Sequence, residues 1–159
     1  MKEPLRIRAY RWGFNLWPCY RGTGGRVTFI AADWREIRVR LPLNWRTRNY
    51  VGTIFGGSLC GAVDPFFMIM LIKLLGPGYM VWDKAASVRF RRPGRSTLQA
   101  IFRIPEDETD EIRRQLETET KLDRVYRVAL EDAQGIVHAE VEKVIQIRKS
   151  TIKQDSHDV

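Results

Sequence analysis

Gly56-Gly57-Ser58-Leu59-Cys60-Gly61-Ala62-Val63-Asp64-Pro65-Phe66-Phe67-Met68-Ile69-Met70-Leu71-Ile72-Lys73-Leu74-Leu75, closed by Gly76-Pro77-Gly78, is the stretch on which the fold turns. Its apolar residues do not keep to one stripe, so as a helix it must be covered on most of its surface. Asp64, Pro65 and Lys73 leave no charge-free run of the roughly 18 residues needed to cross a bilayer. The reading is therefore a buried central helix, and no integral membrane segment is expected.

Outward from it, Ile37, Val39 and Leu41 alternate with Arg38 and Arg40, as a half-buried strand does, and pair with the preceding run from Arg26 as a hairpin. On the other side, residues 79–92 and 96–104 read as two strands joined at Pro93-Gly94-Arg95. Residues 106–119 read as a surface helix with carboxylates in its first turn, and 123–131 and 136–147 as a closing hairpin. Residues 4–17 read as an amphipathic helix ending before Pro18, with Gly22 to Gly25 as a turn. An antiparallel sheet curled about one apolar helix is an α+β arrangement, the hotdog fold. Residues 1–149 would form this single domain, and 150–159 a disordered polar tail. Open sheet edges in so small a unit predict a homodimer.

The chain has 159 residues, 44% hydrophobic and 29% charged, which excludes disorder as its main state. Residues 1–48 hold eleven basic and three acidic groups, which accounts for the whole net charge of +8. Such a balance points to an anionic partner: nucleic acid, acidic lipid or a phosphorylated small molecule. The arginines are scattered among strand residues and no nucleic-acid motif appears, so no nucleic acid is expected. Cys19 and Cys60 are isolated, so neither a zinc cluster nor a disulfide scaffold is expected, and the assignment is cytoplasmic. The N-terminal mixture of Arg and Trp reads first as a packed helix, with a contact to anionic lipid as the alternative.

The chemistry centres on Asn49-Tyr50-Val51-Gly52-Thr53-Ile54-Phe55-Gly56-Gly57, with Asp64 seven residues after Gly57. A Gly-Gly at a helix start exposes backbone N–H groups in the positive field of the helix, a suitable oxyanion donor. Asp64 two turns on is a candidate base or nucleophile, but Asp before Pro is also an N-cap signal. Asn49 is equally a turn residue. These alternatives stand on the residues alone.

The pattern resembles the hotdog-fold acyl-CoA thioesterases of the phenylacetyl-CoA type, through Asn49, Gly52-Thr53, Gly56-Gly57 and Asp64 at the same spacing, with Phe55 where that family often has His. With Asp64-Pro65, Val81-Trp82-Asp83-Lys84-Ala85 and Phe90-Arg91-Arg92-Pro93-Gly94-Arg95, it is also similar to uncharacterised hotdog proteins regarded as tetrameric acyl-CoA thioesterases. The resemblance implies hydrolysis of medium- or long-chain or aryl acyl-CoA by a homodimer assembled further as a dimer of dimers. Catalytic roles fall to Asp64, Asn49 and Gly57 across a dimer interface, with Asp83 as helper. Pro65 would then kink a continuous helix. Arg89, Arg91, Arg92 and Arg95 would grip the phosphates of coenzyme A. Phe55, Phe67 and Met68 would line the acyl pocket. No cofactor and no metal are implied, coenzyme A entering as part of the substrate. The absent His keeps a non-catalytic acyl-CoA sensor as the alternative. A hotdog dehydratase ranks lower, because His138 and His157 are not placed near Gly57.

Overall fold

The computed structural model describes residues 4–150, so the tail expected at 150–159 lies outside the described residues except for Ser150, whose N–H donates to the Gly78 carbonyl at 2.9 Å. The chain runs α1 (Leu5–Leu16), α2 (Pro18–Thr23), β1 (Arg26–Ile30), β2 (Glu36–Leu41), α3 (Gly56–Gly61), α4 (Phe66–Leu75), β3 (Tyr79–Phe90), β4 (Leu98–Arg103), α5 (Glu108–Gln115), β5 (Leu122–Glu131), β6 (Val137–Lys149). Among these, the six strands form one antiparallel sheet in the order β1-β2-β4-β5-β6-β3. The alternation expected in β2 is present: Ile37, Val39 and Leu41 are buried and Arg38 and Arg40 exposed. The closing hairpin is also present, as β5 and β6.

Three expectations are modified by the structure. The long apolar helix over Gly56–Leu75 is present, and the kink expected at Pro65 takes the form of a turn at residues 62–65, between α3 and α4. Pro65 has no N–H for the Gly61 carbonyl, and the buried Tyr20 hydroxyl donates to the Ala62 carbonyl at 3.1 Å, satisfying one of the acceptors freed there. Burial pushes the Tyr20 hydroxyl pKa up, so it stays a donor across the physiological range. Second, Pro93-Gly94-Arg95 does not close a hairpin. β3 pairs with β6 at one edge of the sheet, and β4 lies between β2 and β5, so the turn begins a crossover. Third, the chain after Pro18 is helical: Pro18 occupies the first turn of α2, where its missing N–H costs nothing, and Gly24 at φ 84° ends it.

α4 packs on the sheet through aromatic side chains. The Phe66 ring centroid lies 5.3 Å from Tyr20 and 5.1 Å from Phe102, and Phe67 lies 5.0 Å from both Phe102 and Tyr126. Such offset and edge contacts add to the burial of large apolar surface. By composition Gly56–Leu75 is long and apolar enough to cross a membrane, but it is interrupted at 62–65 and contributes Phe66, Met70 and Leu71 to the core.

α1 is fixed to the edge strand β1 by a buried amide. Asn15 Nδ2 donates to the Val27 carbonyl at 2.9 Å, and the Val27 N–H donates to Asn15 Oδ1 at 2.8 Å, as a further strand would. Asn15→Ala leaves both Val27 groups without these partners. It is expected to lower stability by about 2 kcal/mol, read as a lower urea midpoint at unchanged m.

Candidate functional site

Lys143 lies on the inward-facing parity of β6, between the buried Val141 and Ile145. A lone ammonium there would be strongly disfavoured. Its Nζ donates to Asp64 Oδ1 at 2.7 Å and pairs with Asp83 Oδ2 at 3.0 Å. Lys143 is 2% exposed while Asp64 is 62% exposed, so the cation is embedded and the carboxylate it holds faces solvent.

Asp64 occupies the turn between α3 and α4, and among the described residues no side chain caps α4, so the capping role is not the one it takes. Asp83 reaches the same ammonium from β3, where a register shift between Asp83 and Ala85 locally alters the pairing with β6. Burial raises the Asp83 carboxyl above the usual carboxylate range, against the opposing pull of Lys143. Burial alone would lower Lys143, but its hydrogen bonds and charge contacts with Asp64 and Asp83 outweigh that and hold it above the ordinary lysine value. Asp83 Oδ1 is buried and finds no hydrogen-bond donor within the described residues.

Gly57 lies in the first turn of α3, whose leading amides have no intrahelical carbonyl before them. Both glycines are covered by aromatic rings. A Cβ on Gly57 would fall 2.3 Å from the Phe55 ring, and one on Gly56 would fall 3.3 Å from Phe90. Phe55 therefore lies against the Gly-Gly step, with 57% of its surface exposed. Asn49 closes the preceding turn. Its Oδ1 accepts from the Val51 and Thr53 N–H groups at 3.1 and 2.9 Å, and its Nδ2 donates to Thr53 Oγ1 at 2.9 Å.

A cleft of about 330 Å³ brings Asn49, Gly56, Phe90, Arg91 and Arg92 together. Arg91 is paired there with Glu140 at 2.8 Å. The other predicted residues fall elsewhere. Arg89 lines a separate cavity of about 520 Å³ with Arg127, and Arg95 is exposed outside both. Phe67 is in the core, and Met68 faces a groove between α1 and α4. Phe55, Phe67 and Met68 thus do not share one wall. Of the proposed catalytic residues only Asn49 lines the 330 Å³ cleft, which takes Gly56 from the Gly-Gly step but neither Gly57 nor Asp64.

Lys143 is the residue that sequence reasoning missed. Its signal is the apolar parity Val137, Ala139, Val141, Lys143, Ile145, Ile147, in which one position alone is charged.

The fold is shared with solved structures of low sequence identity. A protein of unknown function from Pseudomonas aeruginosa described as a probable thioesterase superposes with a TM-score of 0.81 at 19% identity, covering 92% of this chain and 98% of that one. A thioesterase from Haemophilus influenzae gives 0.68 at 13% identity, covering 99% and 98%. A protein of unknown function from Chlorobaculum tepidum gives 0.71 at 15%, covering 91% and 95%. No curated protein sequence matches the chain. The family described as Domain of unknown function (DUF4442) matches residues 8–147. Spanning most of the chain, that match and the shared architecture establish a hotdog-fold protein belonging to the DUF4442 family.

Proposed function

We propose that the protein hydrolyses acyl-CoA thioesters at a site completed across a homodimer. The observation that carries this is the Asp64 carboxylate, held by a buried lysine at a helix break and open to solvent rather than spent on capping. The thioesterases among the structural relatives support hydrolysis as the chemistry.

Asp64 takes a proton from water as the water oxygen bonds to the thioester carbonyl carbon. The Gly57 N–H stabilises the oxyanion, a contribution of about 3–4 kcal/mol where such donors have been removed. The C–S bond then breaks, and the proton held by Asp64 passes to the departing thiolate. Asp64 acting as nucleophile would use the same geometry. Asn49, with its amide engaged in its own turn, positions the loop before the Gly-Gly step. Arg92 beside the cleft supplies charge for the coenzyme A phosphates.

The resemblance carried by Asn49, Gly56-Gly57 and Asp64 supports a dimer, in which one subunit's acid serves the other's amides. Edge strand β3 is the natural seam, being paired among the described residues only with β6. A donor from the second subunit or the substrate would satisfy Asp83 Oδ1. A dimer of dimers and a cytoplasmic setting, in keeping with the unpaired Cys19 and Cys60, complete the proposal. Phe55 in place of His makes the site wall apolar and favours longer or aryl acyl groups.

The test is thiol release from a panel of acyl-CoA thioesters, short, long and aryl. Turnover rising toward medium or long chains or aryl groups is expected. No turnover with tight acyl-CoA binding would assign the protein to the sensing class instead.

A further inference from the structure

α1 presents an apolar stripe outward. Leu5, Ala9, Trp12 and Leu16 recur at spacings of four, three and four residues, which places them on one helix face, and all four are exposed. The opposite side of the helix is the one engaged with the fold, through Ile7, Phe14 and the Asn15 clasp on β1. Arg6 and Arg8 stand on the two flanks of the stripe, both exposed. Trp17, 55% exposed, extends it toward α2. Alongside, a groove of about 770 Å³ between α1 and α4 continues the apolar surface through Met68, Ile69 and Ile72, with Arg6 and Lys73 among the residues lining it.

The charge around this face decides its occupant. From Pro4 to Ala32 the sequence holds Arg6, Arg8, Arg11, Arg21 and Arg26 and no acidic residue. A second copy applied through the same face would set arginines against arginines, a like-charge contact. An anionic surface is complementary, and tryptophan and leucine beside arginine are the side chains that seat a helix at the boundary of headgroups and acyl chains. We infer that α1 docks the protein peripherally on anionic phospholipid bilayers, with Leu5, Trp12 and Leu16 entering the interface and Arg6 and Arg8 meeting the headgroup phosphates. The docking is independent of the chemistry at Asp64, and activity is not its readout.

The experiment is flotation of the full chain with vesicles of phosphatidylcholine and phosphatidylglycerol in equal parts, beside vesicles of phosphatidylcholine alone. Binding to the anionic vesicles that weakens as salt is raised is expected. The pair Trp12→Glu and Leu16→Glu is expected to lower the partition coefficient at least about tenfold. Arg8→Gln should lower it about fivefold, the effect of one basic residue near an anionic surface. These positions are exposed, and an unchanged melting temperature and elution volume confirm that the variants remain folded. Absence of flotation, or flotation unaltered by the double substitution, overturns the inference. It is equally overturned if the wild type fails to float while forming a larger species that the double substitution dissolves, since the stripe would then be a contact between copies.

Discussion

Asp64→Asn is expected to lower kcat for the best acyl-CoA substrate by about 10²- to 10⁴-fold with little change in KM, the range for removing a positioned proton acceptor. The substitution suits the site because the amide keeps an oxygen for the Lys143 ammonium, which also retains Asp83 at 3.0 Å. The side chain is 62% exposed, so no cavity or buried uncompensated charge is created, and melting temperature and oligomer size should be unchanged. Loss of activity without loss of stability is the signature of a group used in the chemistry. Equal rates in the two proteins would remove Asp64 from the mechanism and leave the Gly-Gly amides without an acid. A parallel loss of activity and stability would reduce Asp64 to a counter-ion of Lys143. Mixing wild-type subunits with subunits carrying both Asp64→Asn and a substitution at Gly57 separates the half-sites. If acid and amides come from opposite subunits, a mixed dimer keeps neither site whole.

The fold was legible where local pattern and burial agree. The apolar helix, the Ile37-Val39-Leu41 alternation and the β5–β6 hairpin are each set by neighbours in sequence. What was not legible is set by distant partners. The Asp64-Pro65 step announced a disturbance, but its outcome, a turn rather than a kink, is stabilised in part by the hydroxyl of Tyr20, 42 residues before the carbonyl it meets. Pro93-Gly94 has the chemistry of a hairpin turn, yet β3 is aligned with β6 over eleven residue pairs from Tyr79–Lys149 to Phe90–Ala139. At the site, Asp64 and Asp83 were read as separate candidates. The cation between them could be found only through the inward parity of Lys143, because a strand lysine with apolar neighbours resembles an ordinary charged edge residue until its face is known. Asn49 shows the reverse. Its turn chemistry was readable locally, and the turn is what its side chain makes.

Lys143→Met should lower stability by about 3 kcal/mol at neutral pH, the lower end for breaking a buried ionic contact. Methionine retains much of the aliphatic packing between Val141 and Ile145, and Asp64 can be solvated where it stands. The cost therefore falls on Asp83, whose Oδ1 already lacks a donor and whose Oδ2 would lose its cation. The pH dependence identifies this cause. Burial already raises the Asp83 carboxyl, and removing Lys143 removes the groups that lower it. A carboxyl raised on folding contributes stability that is fully present below its unfolded value, near about 4, and lost as pH rises through its folded value. The deficit of Lys143→Met should thus shrink as the solution is acidified, and adding Asp83→Asn should remove the slope and recover much of the stability at neutral pH. In the wild type the lysine's own share has the opposite limit. Its folded value lies above the ordinary one, so its contribution is complete below about pH 10 and is lost only as pH rises beyond that. Urea unfolding of the three proteins from about pH 4 to about pH 11 checks each sign. A deficit independent of pH, or one that Asp83→Asn fails to relieve, would mean that the lysine acts by filling space rather than by holding the two carboxylates.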